Sequence, residues 1–315
     1  MSRAAALTLL LLGAGSRTAS AEAGRTAAVF LRRALGARAA ALGGAYAAVA
    51  DGGPESTQYN PALVAALRRP ALTTSYLSGF GGTSHGHLGW AQPLPYGTAA
   101  VGLLYFNAGS ISVNRSDGQT GTVTAEEDTA WTLSYAAPLF WGFSAGGTYR
   151  YLRLDLAEAA HAVTHQTDMG LFWKPPIPYL TLGGAYQYWG PDIRFEEAGD
   201  PPPKTLRYGA AFRFPDLDAK VIDPKTDLEA FDMTVAADMV QSLFEPASPR
   251  AGLELGLTPA FMTRVALRFG YVLKRYSEGL TFGAGFRHGN VGFDYAYGSA
   301  RDLPGLQNLT LTISF

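Results

Sequence analysis

The sequence predicts an all-β protein: a 14-stranded antiparallel transmembrane β-barrel with a small N-terminal, partly helical plug. Three observations predict this fold. From residue 71 to the C-terminus, apolar and polar residues alternate in one short segment after another, the period of two that a β-strand produces. Charged residues make up only 16% of the chain, against about a quarter of a soluble domain. The chain also begins with the pattern of an export signal.

The first 21 residues have the layout of a secretory signal peptide. Arg3 provides a basic start, an apolar run covers Ala4–Leu12, and small residues at Ala19–Ala21 precede a cleavage site. The apolar run is too short for a membrane-spanning helix, which needs about 20 residues. We therefore expect residues 1–21 to be a cleaved signal peptide.

Composition excludes several classes of function. The chain has no cysteine, so disulfides, thiolate catalysis and sulfur-ligated metals are excluded. Its formal net charge of −1 argues against a nucleic-acid partner.

Residues 22–70 do not alternate and predict the plug. They are rich in alanine and interrupted by glycine pairs. A short helix is expected at about 61–67, because asparagine followed by proline is a favoured helix start. We expect this segment to lie in the lumen or at its periplasmic mouth. The residues expected to shape it are Gly43, Gly44, Asp51, Asn60 and Pro61.

Residues 71–315 predict the barrel. The most regular alternation occurs in 204–214, 229–241, 249–258, 263–274, 279–288, 290–299 and the C-terminal strand. Weaker alternation occurs near 71–79, 84–93, 97–108, 128–138, 143–156, 164–174 and 179–190. The total of 14 strands is even, as in bacterial single-chain barrels.

The two faces of these strands differ in a way that identifies the lumen. One face is large and apolar and is expected to meet lipid. The other combines small residues with charges of both signs, the reverse of a soluble β-sandwich, where charges face water and large apolar residues fill the core. We expect ion pairs to fill the lumen. The expected lumen charges are Arg207, Arg213, Asp232, Asp238, Arg250, Glu254, Arg264, Arg268, Arg287 and Asp294.

The C-terminus reads as a complete strand. Leu309, Leu311, Ile313 and Phe315 are apolar, and the residues between them are polar. This strand must pair with the first one, because an open edge in hydrocarbon leaves backbone groups unsatisfied. A terminal aromatic resembles the signal by which bacterial outer-membrane barrels are recognised by their assembly machinery, so Phe315 predicts that partner.

The connections predict an orientation. If both termini are periplasmic, short turns near 94–96, 139–142, 175–178, 259–262 and 288–290 are expected on the periplasmic side, and longer polar loops near 109–127 and 191–203 outside. One connection, 215–228, is long and charged although it falls on the short-turn side.

A search for catalytic or metal-binding residues predicts neither an enzyme nor a cofactor. His85 and His87 share one strand face, and His161 and His165 are expected to flank a loop. Neither pair has a nearby third ligand. The serine at the end of 82–84 precedes His85 but has no orienting acid.

The N-terminal segment resembles the signature of the PorV/PorQ family, within the FadL-like outer-membrane transport superfamily. The matching elements are Gly36–Arg38, Ala41–Ala45, Ala50-Asp51 and Tyr59–Ala62. After Ala62 the chain departs from the family pattern, which continues with Gly-Leu.

The resemblance implies a 14-stranded barrel with an N-terminal plug, placed in the outer membrane and in contact with its lipid. PorV relatives serve type IX secretion and bind signal domains of exported proteins, which implies a secretion-system or cargo protein as partner. FadL relatives move hydrophobic small molecules such as long-chain fatty acids, which is the alternative function. The charged lumen face favours the secretion function.

Overall fold

The computed structural model describes residues 25–50, 53–114, 120–157, 159–218, 230–260, 262–275, 278–300 and 304–315. The expected signal peptide and Asp51 lie outside these residues. Within the described ranges, no helix is both long enough and apolar enough to cross a membrane.

The described strands are β1 (Ala71–Ser78), β2 (Ser84–Leu94), β3 (Gly97–Asn107), β4 (Ser110–Asn114), β5 (Thr120–Thr124), β6 (Glu126–Pro138), β7 (Phe143–Leu156), β8 (Ala160–Trp173), β9 (Leu180–Trp189), β10 (Ile193–Arg194), β11 (Gly199–Asp200), β12 (Thr205–Asp218), β13 (Ala230–Ser242), β14 (Ser248–Ala260), β15 (Thr263–Val272), β16 (Leu280–His288), β17 (Val291–Gly298) and β18 (Leu306–Ser314). Strands β4–β5 and β10–β11 form two separate small hairpins, and the other fourteen form one closed barrel. The prediction of a 14-stranded antiparallel barrel is confirmed.

The barrel closes between its first and last strands. β1 and β18 pair antiparallel from Ala71 opposite Ser314 to Ser78 opposite Gln307. The backbone N–H of Phe315 donates to the carbonyl of Pro70 at 2.9 Å, and the Phe315 ring packs on Trp90 with centroids 5.4 Å apart. No unpaired strand edge remains at this seam.

The two faces of the wall follow the alternation in the sequence. On β18, Leu309 and Leu311 are 41% and 38% exposed, whereas Asn308 and Thr310 are 2% and 3% exposed. The same alternation recurs along β13 and β15. On these strands most outward-facing side chains are large and apolar, and most inward-facing ones are small or polar. Inward-facing Leu152 and Phe172 on other strands are large and pack on the N-terminal segment.

Some expected boundaries are wrong. β8 begins at Ala160, so His161 and His165 lie within a strand, on its exposed face, and do not flank a loop. Polar residues on the outer face near this strand end obscure the alternation. β12 continues to Asp218, so the expected long loop 215–228 begins as strand. Residues 219–229 lie outside the described residues.

We call the barrel end with connections 108–125, 190–204, 243–247 and 273–279 the loop end, and the opposite one, with Pro70 and Phe315, the turn end. The N-terminal segment, residues 25–70, runs between them. At the loop end, the N–H of Ala27 donates to the carbonyl of Pro201 at 3.2 Å. Its helices are the short α-helix Ala37–Ala41 and the 3-10 helices Val29–Arg32, Pro54–Gln58 and Pro61–Ala66.

Candidate functional site

Asn60 holds the part of the N-terminal segment around Pro61 against the barrel wall inside the lumen. It is fully buried, and its Oδ1 accepts from the N–H of Ala62 at 3.0 Å, which caps the helix beginning at Pro61. Its Nδ2 donates to the carbonyls of Ala47 and Leu171, both at 2.9 Å. One side chain therefore caps a helix and joins two parts of the segment to β8.

Gly43 and Gly44 form the turn after the short α-helix. Their φ angles are 66° and 73°, in the left-handed region that favours glycine. The carbonyl of Gly44 accepts from Nη1 of Arg207 at 2.7 Å, and that of Gly43 from Nη1 of Arg250 at 3.3 Å. Two of the expected lumen arginines thus hold this turn.

Asp238 binds the next residues of the segment. Its Oδ2 accepts from the N–H groups of Tyr46 and Ala47, both at 2.8 Å, and lies 3.4 Å from Nη1 of Arg207. Charge-assisted bonds to backbone donors are stronger than neutral ones. Arg207 and Asp238 therefore act together on one stretch of backbone.

Glu254 is the centre of a charge network near the turn end. Its buried carboxylate accepts from Arg38 at 2.8 and 2.9 Å, from Arg264 at 2.9 Å and from Arg268 at 2.5 Å. Arg264 also pairs with Asp232 at 2.5 Å, and Arg268 with Asp294 at 2.6 Å. The sequence placed the wall residues of this network in the lumen but missed Arg38, the one charge within the short α-helix.

Two expected lumen arginines lie at the turn end. Arg213 and Arg287 are exposed and line a cavity of about 150 Å³ together with Arg38, Arg264, Arg268 and Asp294. Arg250 lies toward the loop end, 3.6 Å from Glu278.

A second buried network was not expected from the sequence. Arg150 on β7 donates to Asp168 at 2.7 Å and to Oε1 of Gln58 at 2.9 Å, and Asp168 accepts from the N–H of Tyr188 at 2.7 Å. The sequence contained a sign of this network, because Arg150 and Asp168 stand at inward-facing positions of β7 and β8.

Glycines on the wall make room for the N-terminal segment. A Cβ at Gly146 would lie 2.7 Å from Pro61, and one at Gly252 would lie 2.7 Å from the carbonyl of Leu42. A Cβ at Gly183 would collide with the carbonyl of Ala47. Such close backbone approach is a common reason for glycine within a strand.

The lumen contains two large cavities on either side of the segment. The loop-end cavity, about 440 Å³, is lined by Val29, Leu31, Arg32, Arg33, Ala34, Gln58, Tyr59, Gln187, Tyr188, Thr205, Arg207, Val240, Ser242, Glu245, Pro246, Arg250, Lys274, Arg275 and Glu278. The turn-end cavity, about 630 Å³, is lined by Ala48, Val49, Ala50, Ala66, Leu67, Arg68, Phe172, Lys174, Tyr179, Leu180, Thr181, Ala211, Arg213 and Thr234.

One apolar cluster separates the cavities. It contains Tyr46 and Leu63 at its centre and is built from both the segment and the wall. Its member Tyr59 also lines the loop-end cavity, and its members Val49 and Phe172 also line the turn-end cavity. Among the described residues, the N-terminal segment and the wall residues packed on it therefore lie between the two cavities.

Glu245 fastens the start of the segment at the loop end. Its carboxylate accepts hydrogen bonds from Arg32 in the segment and from Arg275 in the wall loop. Burial raises the pKa of Glu245, but the bonds and charges of the two arginines outweigh it and hold the pKa below its usual value.

The described residues contain no group of three or more His, Asp or Glu side chains arranged to hold a metal ion. His85 and His87 are buried in the lumen wall, and the His85 ring lies 4.5 Å from that of Phe106. No donor set among these residues therefore identifies a metal or cofactor position.

These features define a class: a closed β-barrel with an apolar exterior and a lumen occupied by its own N-terminal segment. No family model and no curated protein matches the sequence. Among solved structures, the chain is similar to the CymD monoaromatic hydrocarbon channel, with a TM-score of 0.54 and 12% identity over 89% of this chain and 97% of that one. It is also similar to the P. putida toluene transporter TodX, with a TM-score of 0.51 and 10% identity over 84% and 94% of the two chains.

A TodX deltaS2S3 mutant, described as a monoaromatic hydrocarbon channel, gives a TM-score of 0.51 and 12% identity over 89% of this chain and 97% of that one. At identities of 10–12% these likenesses show the fold alone, a closed β-barrel as the sequence predicted. They do not distinguish the PorV/PorQ family that the N-terminal motif resembles.

Proposed function

We propose that this protein is an outer-membrane channel for small hydrophobic molecules, closed at rest by its N-terminal segment. The observation that carries the proposal is the turn-end cavity. It lies at the turn end of the barrel and has a volume of about 630 Å³. Nine of its fourteen lining residues are apolar or aromatic, and the others are Arg68, Lys174, Thr181, Arg213 and Thr234. Sites of this size and character suit small apolar ligands.

The fold comparisons support this function over the secretion hypothesis. The similar structures are hydrocarbon channels and a toluene transporter. The charged lumen face, which favoured secretion, has a different explanation in the structure. Asp238, Glu254 and Arg207 bind the N-terminal segment or one another, so these charges hold the closing element and need no protein cargo.

The proposal places the apolar outer face in the lipid of the bacterial outer membrane. The C-terminal strand, ending at Phe315, would be the part that the barrel-assembly machinery recognises. In that position, outward-facing apolar side chains such as Leu309 and Leu311 would contact lipid and not water, which is favourable.

The test uses two neighbouring alanines on β12. Ala211 is 3% exposed and lines the turn-end cavity, whereas Ala210 lies on the opposite face of the strand. Ala211→Trp should fill the cavity and lower accumulation of radiolabelled toluene in a Gram-negative host about tenfold, since a blocked site cannot conduct.

Ala210→Trp is the matched control, because it adds the same ring toward lipid and should leave accumulation unchanged. Both variants should be scored only in outer-membrane fractions with heat-modifiable migration. Equal accumulation in the Ala211→Trp variant, the wild type and cells lacking the protein would overturn the proposal.

A further inference from the structure

The loop-end cavity has an unusual charge. Its six cationic lining residues are Arg32, Arg33, Arg207, Arg250, Lys274 and Arg275. Only two acidic residues, Glu245 and Glu278, line it. A recess with low-dielectric walls and an excess of one charge concentrates ions of the opposite sign.

The two carboxylates are already engaged. Glu245 accepts from Arg32 and Arg275, and Glu278 lies 3.6 Å from Arg250. Arg207 is also 3.4 Å from Asp238, which lies outside the lining. The lining cations without a carboxylate partner among the described residues are therefore Arg33 and Lys274.

Several cavity donors also lack hydrogen-bond partners. The Nε–H groups of Arg32, Arg207, Arg250 and Arg275 are buried and have no partner among the described residues, and the same holds for Nε2 of Gln58. Burial of an unsatisfied donor costs free energy, and Arg207 and Arg250 are only 6% and 7% exposed. The guanidinium groups of these arginines line the cavity and suit a ligand rich in acceptor oxygens.

The volume and the lining of the cavity define the size and kind of ligand. The cavity volume, about 440 Å³, falls within the range of roughly 300–1,000 Å³ typical of small-molecule sites. Thr205, Ser242, Tyr59 and Gln187 also line the cavity, and their side chains already form hydrogen bonds within the protein. The charged groups are therefore the ones that select the ligand.

We propose that the loop-end cavity is a binding site for a small organic anion that carries two or more carboxylate or phosphate groups. This inference goes beyond the proposed channel for hydrophobic molecules and rests on different residues at the opposite end of the lumen. Arginine is suited to the site because its fork of donors binds carboxylate and phosphate oxygens in pairs.

The site contacts the residues that keep the lumen closed. Arg207 and Arg250 use Nη1 to hold the carbonyls of Gly44 and Gly43, and each retains an Nε–H without a partner. The segment itself supplies Arg32 and Arg33. A bound anion therefore touches both the N-terminal segment and the wall residues that anchor it.

Calorimetry on the purified full chain in detergent micelles tests the proposal. The probes are citrate, fructose 1,6-bisphosphate and trimethyl citrate, which has the citrate skeleton without charge. Citrate or the bisphosphate should bind in a 1:1 ratio, and trimethyl citrate should not compete. The two charged probes distinguish carboxylate from phosphate preference.

Lys274→Gln removes one cavity cation and should weaken binding of the preferred anion at least tenfold. Lys204→Gln is the matched control, since it removes the same charge at the same barrel end from a residue outside the cavity, and it should bind as the wild type does. The proposal is overturned if neither charged probe binds, if trimethyl citrate binds equally well, or if both variants retain wild-type affinity. Binding is measured without transport, so loss of the toluene result would refute the channel proposal alone.

Discussion

The two large cavities lie in one lumen and differ in the make-up of their walls. The loop-end cavity has six cationic and two acidic lining residues, whereas nine of the fourteen lining residues of the turn-end cavity are apolar or aromatic, with three cations and no acid among the rest. The N-terminal segment contributes to both, with Arg32 and Arg33 at one end and Val49, Leu67 and Arg68 at the other. The segment therefore supplies part of the lining at each end as well as lying between the two cavities.

The largest change expected is the loss of that separation. A chain lacking residues 25–66 removes the apolar cluster around Tyr46 and Leu63 and should join the cavities into one water-filled pore. Conductance in planar bilayers should rise by about tenfold or more over the nearly closed wild type, as expected for a barrel that has lost its plug. Conductance equal to that of the wild type would mean that wall side chains block the lumen by themselves.

A smaller effect is expected from crowding the wall beneath the segment. Gly183→Ala places a Cβ against the carbonyl of Ala47, and overpacking of this kind costs about 1–3 kcal/mol. The free energy of unfolding, measured by guanidinium titration in lipid vesicles, should fall by that amount.

The neighbouring glycine provides the control for this experiment. A Cβ at Gly184 would meet its nearest atom at 3.5 Å, an ordinary contact, so Gly184→Ala should stay within about 0.5 kcal/mol of the wild type. Equal destabilisation by both substitutions would show that the contact between Gly183 and the carbonyl of Ala47 is not the cause.

The smallest effect is expected at the loop end and depends on pH. Because the pKa of Glu245 is lowered in the folded protein, its contribution to stability is present above the unfolded pKa and is lost as pH falls through the folded value. At pH 7, Glu245→Gln should speed amide hydrogen exchange in Val29–Arg32 by about two- to fivefold, the range for a partly exposed ion pair.

The same comparison in acid provides the check on Glu245. Below the folded pKa, the wild-type carboxyl is protonated and the difference between the two proteins should vanish. A difference that persists unchanged in acid would mean that the arginine bonds to Glu245 do not hold the segment through charge.

The barrel wall could be predicted from the sequence because its two faces follow a local alternation. Every second residue of a strand such as β15 is apolar, so Leu267 and Phe269 identify its outer face without reference to any other strand. The Asn60 cap could also be predicted, since a helix start depends on adjacent residues. Both are local patterns.

The interior of the lumen could not be predicted in the same way. Arg38 meets Glu254 across 216 positions of sequence, and the Cβ-free surface of Gly183 matters only because Ala47 lies against it. Such contacts depend on which wall strand each part of the segment faces. The alternation in one sequence shows which face of each strand points inward, but not which part of the N-terminal segment lies against it. The cavities and their charge could therefore be found only in the structure.

The contact between the short α-helix and β18 has a consequence for biogenesis. The N–H of Ala37 donates to Oγ1 of Thr310 at 2.8 Å across 273 positions. This contact of the N-terminal segment therefore requires the last strand of the barrel. Until β18 is in place, the N-terminal segment lacks part of the surface that it packs on. Contacts at such sequence separation form slowly, and β18 also pairs with β1 to close the barrel. The contact of the short α-helix with the wall and the closure of the barrel therefore both require β18, and an intermediate that lacks this strand lacks both.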